Sequence, residues 1–496
     1  MHERGQSDSP IVPSRSPNNA AQAVAEAAEG SGLAKGNATG KTRPGSKAGE
    51  SVPSALDRVR RVAQQDRKAR FVSLLHHVDV DRLRTAYWAL KPKAAPGVDG
   101  VTWGDYGQEL EANLQDLHSR VHRGSYRARP SRRAYIPKAD GRQRPLGIAS
   151  LEDKILQRAV VEVLNAIYEA DFLGFSYGFR PGRRPHDALD ALAVGIEKRK
   201  VNWILDADIR GFYDSIDHEW MLKFLEYRIA DRRVLRLVRK WLNAGVIEQG
   251  KWSETTEGTP QGASASPLLS NVYLHYVFDL WAHQWRRRNA RGEVILVRFA
   301  DDYVAGFQHR DDAERFLVEL RDRFAKFSLE LHAEKTRLIQ FGRFAAQQRK
   351  QRSLSKPETF DFLGFTHICG KTKSGSFALR RITILERKRA KLHQVKEELV
   401  HRRYLPIPEQ GQWLASVVRG HCAYYAVPGN YEAVDAFCKE VTKHWYRALR
   451  RRSQRTSLTW ERMSRLETRW LPPAKITHPW PNVRFDADTQ GRSPVR

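Results

Sequence analysis

The segment from Val294 to Phe307 restricts the fold more than any other part of the chain. Two apolar runs, Val294-Ile295-Leu296-Val297 and Tyr303-Val304-Ala305-Gly306-Phe307, flank Phe299-Ala300-Asp301-Asp302. Short apolar, β-branched runs around a tight polar junction read as a strand hairpin. Neighbouring strand residues point to opposite faces, but a turn brings both carboxylates near one point. Adjacent carboxylates repel each other unless a cation sits with them. About ninety residues upstream, Trp203-Ile204-Leu205-Asp206-Ala207-Asp208-Ile209 offers another acid on another apolar run. Three carboxylates from separate strands suit two Mg²⁺ ions, and such a pair drives in-line attack on a phosphate. An isolated Asp-Asp pair is equally readable as a solvated turn, so the reading depends on its company.

Asp208 is the preferred ligand on the upstream strand, because a strand end presents a carboxylate on a rigid element. The backbone carbonyl of Ile209 could add an oxygen, the only donor type Mg²⁺ readily accepts. Asp206 shares the strand face and is either a third ligand or a supporting group. Asp214 and Asp217 fit the start of a helix at His218, where acids meet the positive end of the dipole.

The formal charge of +28 over 496 residues implies a polyanionic partner. Acids and bases nearly cancel over residues 1–54, so the excess belongs to the rest of the chain. That excludes a histone-like basic tail and favours a basic surface or channel. The three cysteines, Cys369, Cys422 and Cys438, form no Cys-x-x-Cys pair, which argues against a disulfide framework or a cysteine zinc site. No apolar stretch reaches the length of about eighteen residues that marks a membrane span, and the N-terminus lacks a signal pattern. An intracellular, cytoplasmic setting of bacterial type follows as the expectation, with association to the nucleoid during mobility.

Residues 1–54, rich in Ala, Gly, Ser, Pro and Asn, are expected to be disordered. Helical patterns run from residue 54 to 71 and from 81 to 90. The cleanest helix spans 151–168, where Ile155, Leu156, Ala159, Val160, Val163, Leu164 and Ile167 form one buried stripe. Strands at 203–209, 294–299 and 303–307 alternate with helices at 218–229, 232–243, 266–285 and 311–327. The order reads as α+β: one sheet with helices packed on one side. Strands stop near residue 385, and a basic helical region follows. There Arg450, Arg451, Arg452 and Arg455 lie among Trp445, Tyr446 and Trp460, a mixture that suits phosphate contact and base stacking. A helical bundle with a solvated basic face is the plainer alternative.

Further motifs occur in a fixed order. Pro96-Gly97-Val98-Asp99-Gly100 precedes Ile136-Pro137-Lys138 and Arg144-Pro145-Leu146-Gly147-Ile148. Gly178-Phe179-Arg180-Pro181-Gly182 follows, then Asp214-Ser215-Ile216-Asp217-His218 and Gly258-Thr259-Pro260-Gln261-Gly262. After the acidic tetrapeptide come His332-Ala333-Glu334-Lys335-Thr336 and Phe362-Leu363-Gly364-Phe365. From about residue 85 to 485 this series resembles the group II intron reverse transcriptases, also called maturases.

The resemblance implies a right-hand polymerase, with fingers and an antiparallel palm sheet over 55–384. It further implies a helical thumb or maturase domain over 385–455 and a basic DNA-binding extension over 456–496. Asp208, Asp301 and Asp302 would be catalytic and would bind two Mg²⁺, with Ile209 beside them. Lys138 and Arg144 would grip the triphosphate, and Arg180 would either join them or form a structural ion pair. Tyr213 would lie under the sugar and exclude a 2′-hydroxyl, pointing to deoxynucleotides; without the resemblance it reads as a core aromatic. Gln261 would sit beside the incoming nucleotide, and Lys335 would protonate the leaving pyrophosphate. Phe299 stands where the family often has Tyr, and both acids are kept.

Trp413 and the segment Ser416 to Tyr425 resemble the family's thumb motif. Arg419, Tyr424 and Tyr425 would therefore contact nucleic acid, together with Arg450 to Arg452. The expected partners are a group II intron RNA, an RNA template with a DNA primer, target DNA and dNTPs. The implied function is RNA-directed DNA synthesis combined with assistance to intron splicing and retromobility. A splicing-only maturase and a domesticated enzyme of a retron, defence or diversity-generating system are the alternatives. No cysteine pairs of the family's nuclease domain occur before Arg496, so second-strand cleavage by the protein itself is not expected.

Overall fold

The computed structural model describes residues 55–137, 143–255, 257–260, 262–372, 374–452 and 458–489. Segment 1–54, Lys138, Gln261 and Arg455 lie outside the described residues. The strands are, in chain order, β1 (Ser131–Pro137), β2 (Gln143–Ile148), β3 (Trp203–Ala207), β4 (Val246–Glu248), β5 (Lys251–Ser253) and β6 (Val294–Phe299). They continue with β7 (Asp302–Phe307), β8 (Arg337–Gln340), β9 (Phe360–Phe362), β10 (Phe365–Lys371) and β11 (Phe377–Thr383).

These strands form three sheets rather than the single sheet read from the sequence. The central one has the order β6-β7-β3-β8 and is antiparallel throughout. A smaller sheet, β2-β1-β4-β5, belongs to the fingers, and β11-β10-β9 stands before the thumb. Strands β8 to β11 escaped the sequence reading because β8 and β9 are short and β10 and β11 carry mixed polar residues. In β8, for example, Arg337 and Gln340 flank only two aliphatic residues.

Both faces of the central sheet are covered, which corrects the expectation of helices on one side. Leu205, Leu296, Tyr303 and Ala305 enter one core, with helices Leu151–Tyr168, His218–Glu226 and Ser266–Leu274. Their strand neighbours Ile204, Ile295, Val297 and Val304 enter another, shared with helix Pro185–Lys198 and the thumb. Alternate residues thus face two apolar environments, so the strands read as unbroken apolar runs.

Helix Leu151–Tyr168 starts where the Ser150 side chain accepts from the Asp153 N–H, and its apolar stripe lies in the first core, as its spacing indicates. The stretch read as one helix over 266–285 is interrupted by a π-helical turn, His275–Asp279, before helix Leu280–Arg288. Such turns insert a residue into the helical ladder and often mark functional sites. His218–Glu226 begins as expected, with the Asp217 carboxylate accepting from Trp220 N.

The thumb consists of helices Leu385–His401, Ile407–Tyr425 and Tyr431–Arg450, followed by Trp460–Trp470. Trp445, fully buried, donates to Gln410 Oε1 at 3.0 Å. The final helix, Pro481–Thr489, packs on Pro185–Lys198. Arg484 Nε meets Asp190 Oδ2 at 2.5 Å, and Arg381 Nη1 meets Asp190 Oδ1 at 2.7 Å. Phe485 is buried beside them. This part of the expected DNA-binding extension is therefore a strap on the palm, its arginine spent on a buried carboxylate. No helix among the described residues is long and apolar enough to cross a membrane.

Candidate active site

The central sheet brings the acids together by register. β3 pairs with β7 with Ala207 opposite Tyr303, so the next antiparallel step sets Asp208 across from Asp302. β6 and β7 pair with Phe299 opposite Asp302, which leaves Ala300 and Asp301 as a two-residue turn. Asp206, Asp208, Asp302 and Asp361 line one cleft of about 160 Å³, together with Leu363 and Arg387.

Cations from the next segment already stand on two of these acids. Lys335 Nζ pairs with Asp208 Oδ2, and Arg337 Nη2 lies 2.9 Å from Asp206 Oδ2. Burial raises the Asp206 carboxyl above its ordinary range, with Arg337 opposing. The backbone is pinned as well: His332 N donates to Asp208 O at 2.8 Å, and Ile209, itself buried, bridges to Leu331. The His332 to Thr336 motif thus lies along the end of β3 and presents Lys335 to the acid.

A buried polar network supports the acidic turn from below. Arg298, in β6, donates through Nη1 to Ala300 O at 2.8 Å, which fixes the turn itself. It also pairs with Asp279 through Nε at 2.7 Å and Nη2 at 2.5 Å. Its remaining bonds go to Asn271 Oδ1 at 2.8 Å and Ser176 Oγ at 2.7 Å. All four partners' residues and Arg298 are buried. Burial alone would raise the Asp279 carboxyl, but Arg298 and His275 hold it below its ordinary value. Ala300 has φ 56°, and a side chain at Gly178 would come within 2.1 Å of Ala300 N. Only glycine permits that contact, so the Gly178 motif acts as a backstop for the turn.

Sequence reasoning missed Arg298, Asp279, Asn271 and Ser176. One signal was available: Arg298 is a charge inside an otherwise apolar strand, and such a residue is buried only when paired. Its partners could not be found, because they come from a loop and a helix distant in sequence.

Other motifs converge on the same place. Tyr213 lies on a single 3₁₀ turn, Phe212–Asp214, and its carbonyl accepts from Thr259 N at 2.7 Å. Desolvation pushes its phenol well above the ordinary value, with the Asp301 carboxylate adding to the rise and Arg144 opposing it. Arg144, Asp301 and Asp302 therefore all lie within electrostatic reach of Tyr213. A side chain at Gly147 would meet Pro260 Cβ at 2.7 Å, so the Arg144 motif presses directly on the Gly258 to Gly262 loop.

Arg180 is not presented to a nucleotide. It is 3% exposed, pairs with Glu169 at 2.6 Å and donates to the carbonyls of Leu173 and Ser176. The structural ion pair is the correct reading of that residue. Tyr424 and Tyr425 also need correction. Tyr424 donates its hydroxyl to Leu363 O at 2.8 Å, and Tyr425 is 8% exposed against Phe365. They brace the β9–β10 turn instead of offering faces to bases. Arg419, Arg450 and Arg451 are exposed, while Arg452 donates to Tyr404 O at 3.2 Å. Near them Tyr446 stacks on Trp460 at 4.1 Å, with the Arg450 guanidinium 5.6 Å from the Tyr446 ring.

Residues 136–367 match the family described as reverse transcriptase (RNA-dependent DNA polymerase). The matched segment, just under half of the chain, contains the acids, the Arg298 network and all three sheets in whole or in part. Among curated proteins, the chain is 35% identical over 238 residues to Protein YkfC of Escherichia coli, covering 42% of this chain and 62% of that one. It is 33% identical over 222 residues to the group II intron-encoded protein LtrA of Lactococcus lactis, covering 44% of this chain and 37% of that one. A shorter match, 28% over 91 residues, reaches the mitochondrial nuclear intron maturase 1 of Arabidopsis thaliana, or 18% of this chain and 12% of that one. The chain thus spans less than two thirds of the relatives it matches.

The donor set of the matched segment suits magnesium, being carboxylates at strand ends. Lys335 marks the Asp208 carboxylate as a place that takes a positive charge. Among the described residues, no three His, Cys, Asp or Glu side chains are gathered closely enough to hold a metal ion. Metal binding therefore requires Lys335 to give way and the carboxylates to draw in.

Proposed function

We propose that the protein is an RNA-directed DNA polymerase that extends a primer with deoxynucleotides and also binds a group II intron RNA to assist splicing and retromobility. The observation that carries the polymerase reading is the register that sets Asp208 across from Asp302 inside the segment that matches the reverse transcriptase family. Bound Mg²⁺ would supply Lewis acidity toward the primer 3′-hydroxyl and neutralise charge on the triphosphate. Asp208, Asp301 and Asp302 would hold it. Arg144 would meet the triphosphate from the fingers, and Tyr213 would lie beneath the sugar of the incoming nucleotide. Lys335, released from Asp208, would be placed to protonate the leaving pyrophosphate.

Intron binding is supported by the charge of +28, by the exposed Arg419, Arg450 and Arg451, and by the similarity to a group II intron-encoded protein and an intron maturase. Primer extension on an RNA template, with dNTPs and with rNTPs, tests the polymerase reading. Extension with dNTPs that disappears in Asp302→Asn supports it. A pure, folded protein that extends nothing overturns it and leaves the splicing-only alternative.

A further inference from the structure

We infer that the strap, from Thr477 through helix Pro481–Thr489, is a latch that fixes the thumb against the palm, with His478 and Arg484 as positioning residues for processive synthesis. The effect on synthesis rests on the polymerase reading. The latch itself rests on hydrogen bonds at the end of helix Ile407–Tyr425.

A helix leaves its last four carbonyls without partners of its own. In helix Ile407–Tyr425 all four are met, two of them from outside the thumb. Cys422 O accepts from Ala426 N at 3.0 Å, and Tyr425 O accepts from Val427 N and Asn430 Nδ2, both at 2.8 Å. Ala423 O accepts from His478 Nε2 of the strap at 2.9 Å. Tyr424 O accepts from His186 Nε2 of palm helix Pro185–Lys198 at 2.8 Å. The strap adds Thr477 N and His478 N to Ala426 O, at 3.0 and 3.2 Å. The two imidazoles lie face to face, their centroids 4.1 Å apart and their planes 16° from parallel. Thumb, palm and strap thus meet at one stacked pair.

That pair is stable only with both rings neutral. A carbonyl accepts and a guanidinium donates, so His478 carries its proton on Nε2 while its Nδ1 accepts from Arg484 Nη1 at 3.1 Å. Arg484 is in turn held by Asp190 of the palm helix, whose other oxygen takes Arg381 of β11. The groups facing the pair are therefore Arg484 from the strap, Arg381 from β11 and Asp190 from the palm helix. The thumb contributes its carbonyls and the Tyr424 ring, 5.0 Å from that of His186. Two guanidiniums already share the one carboxylate, so a further positive charge on either ring is repelled. Burial and these neighbours hold both imidazoles below their ordinary range. Releasing the strap leaves the helix end tied to the palm helix through His186 alone. Nucleic acid gripped between palm and thumb is kept only while the two hold their spacing.

The test loads the full chain on a DNA primer annealed to an RNA template and times dissociation against excess unlabelled competitor. Arg484→Met should speed dissociation roughly tenfold, the lower end for one lost charge-assisted hydrogen bond. Products made in a single binding event should shorten, while the rate of the first nucleotide addition stays that of the wild type. Asp190 keeps Arg381 in that variant, so no buried carboxylate is left unpaired. Arg484→Lys should recover part of the loss. His478→Phe keeps the stack but removes both ring hydrogen bonds. It should match Arg484→Met, and the double variant should be no worse than either. The open latch binds more protons than the closed one, so wild-type dissociation should quicken as pH falls from about 7 to about 5, and less so in His478→Phe. Unchanged dissociation in both single variants would overturn the latch. So would additive losses in the double variant, or the same pH slope in wild type and His478→Phe. Faster dissociation after either substitution, in a protein whose wild type adds no nucleotide, would support the latch while refuting the polymerase reading.

Discussion

Two hairpins meet at one cleft, β6–β7 through Asp302 and β9–β10 through Leu363 and Gly364, and their turns are held by different parts of the molecule. Ala300-Asp301 joins β6 to β7, and Leu363-Gly364 joins β9 to β10. Each places a non-glycine residue at positive φ, 56° for Ala300 and 47° for Leu363. Such conformations cost on the order of 1–3 kcal/mol and persist only where neighbours impose them. The acidic turn is imposed from within the palm, by the buried guanidinium of Arg298 and the backstop at Gly178. The hairpin turn is imposed from the thumb, by the Tyr424 hydroxyl and the N–H of Ile384. The acidic turn thus takes its polar support from the palm and the hairpin turn takes its own from the thumb, while both pack on one apolar core.

The comparison can be broken most directly at the acids. Asp208→Asn or Asp302→Asn should lower primer extension by at least about 10³-fold with the melting temperature unchanged, as expected for loss of transition-state charge stabilisation. A loss smaller than tenfold would remove these residues from the chemistry. The support beneath them should show in stability. Arg298→Met leaves the Asp279 carboxylate buried and unpaired, and should cost about 3–5 kcal/mol in denaturant unfolding. Replacing Asp279 by Leu in the same chain should recover part of that loss. A single-variant cost below 1 kcal/mol would mean that the network does not hold the turn.

Acid should loosen the thumb side first. Burial lowers three histidines to about 3: His186 on the palm helix under the strap, His367 in β10, and His421 in the thumb. Positive neighbours contribute in each case: His478 at His186, Arg381 at His367, and Lys391 at His421. Because the folded values lie below the unfolded value of about 6.5, the unfolded chain takes up protons first as pH falls. Their contribution is full above about 6.5 and is lost progressively toward 3. Between pH 6.5 and 5 each costs about 2 kcal/mol. Hydrogen exchange at pH 5 should therefore accelerate in helix Ile407–Tyr425 before β6 and β7; uniform acceleration would contradict the separate support of the two turns. The smallest effect belongs to Tyr424→Phe, which removes one hydrogen bond to a strained turn. It should cost about 1 kcal/mol and slow primer extension a few-fold. An unaltered rate would show that the hairpin turn does not need the thumb.

The chemistry was legible before the structure, and the support for it was not. Asp208, Asp301 and Asp302 stand out because acids beside apolar strands have few explanations. Tyr213 and Arg144 were singled out by ordered motifs, and Tyr213 feels the charges of Arg144, Asp301 and Asp302. Arg180, Tyr424 and Tyr425 were misassigned for one reason: residue type and motif membership do not reveal whether a polar atom faces the cleft or a buried partner.

Local chemistry determined which strands and helices form, since side-chain period and capping act over a few residues. It also determined that a hairpin carries two acids and that the chain bears a net charge of +28. The tertiary structure decided what each charged group meets. A guanidinium becomes a brace, a strap or a free binding group according to which distant carboxylate reaches it, and burial magnifies that choice by removing the water that would otherwise answer it.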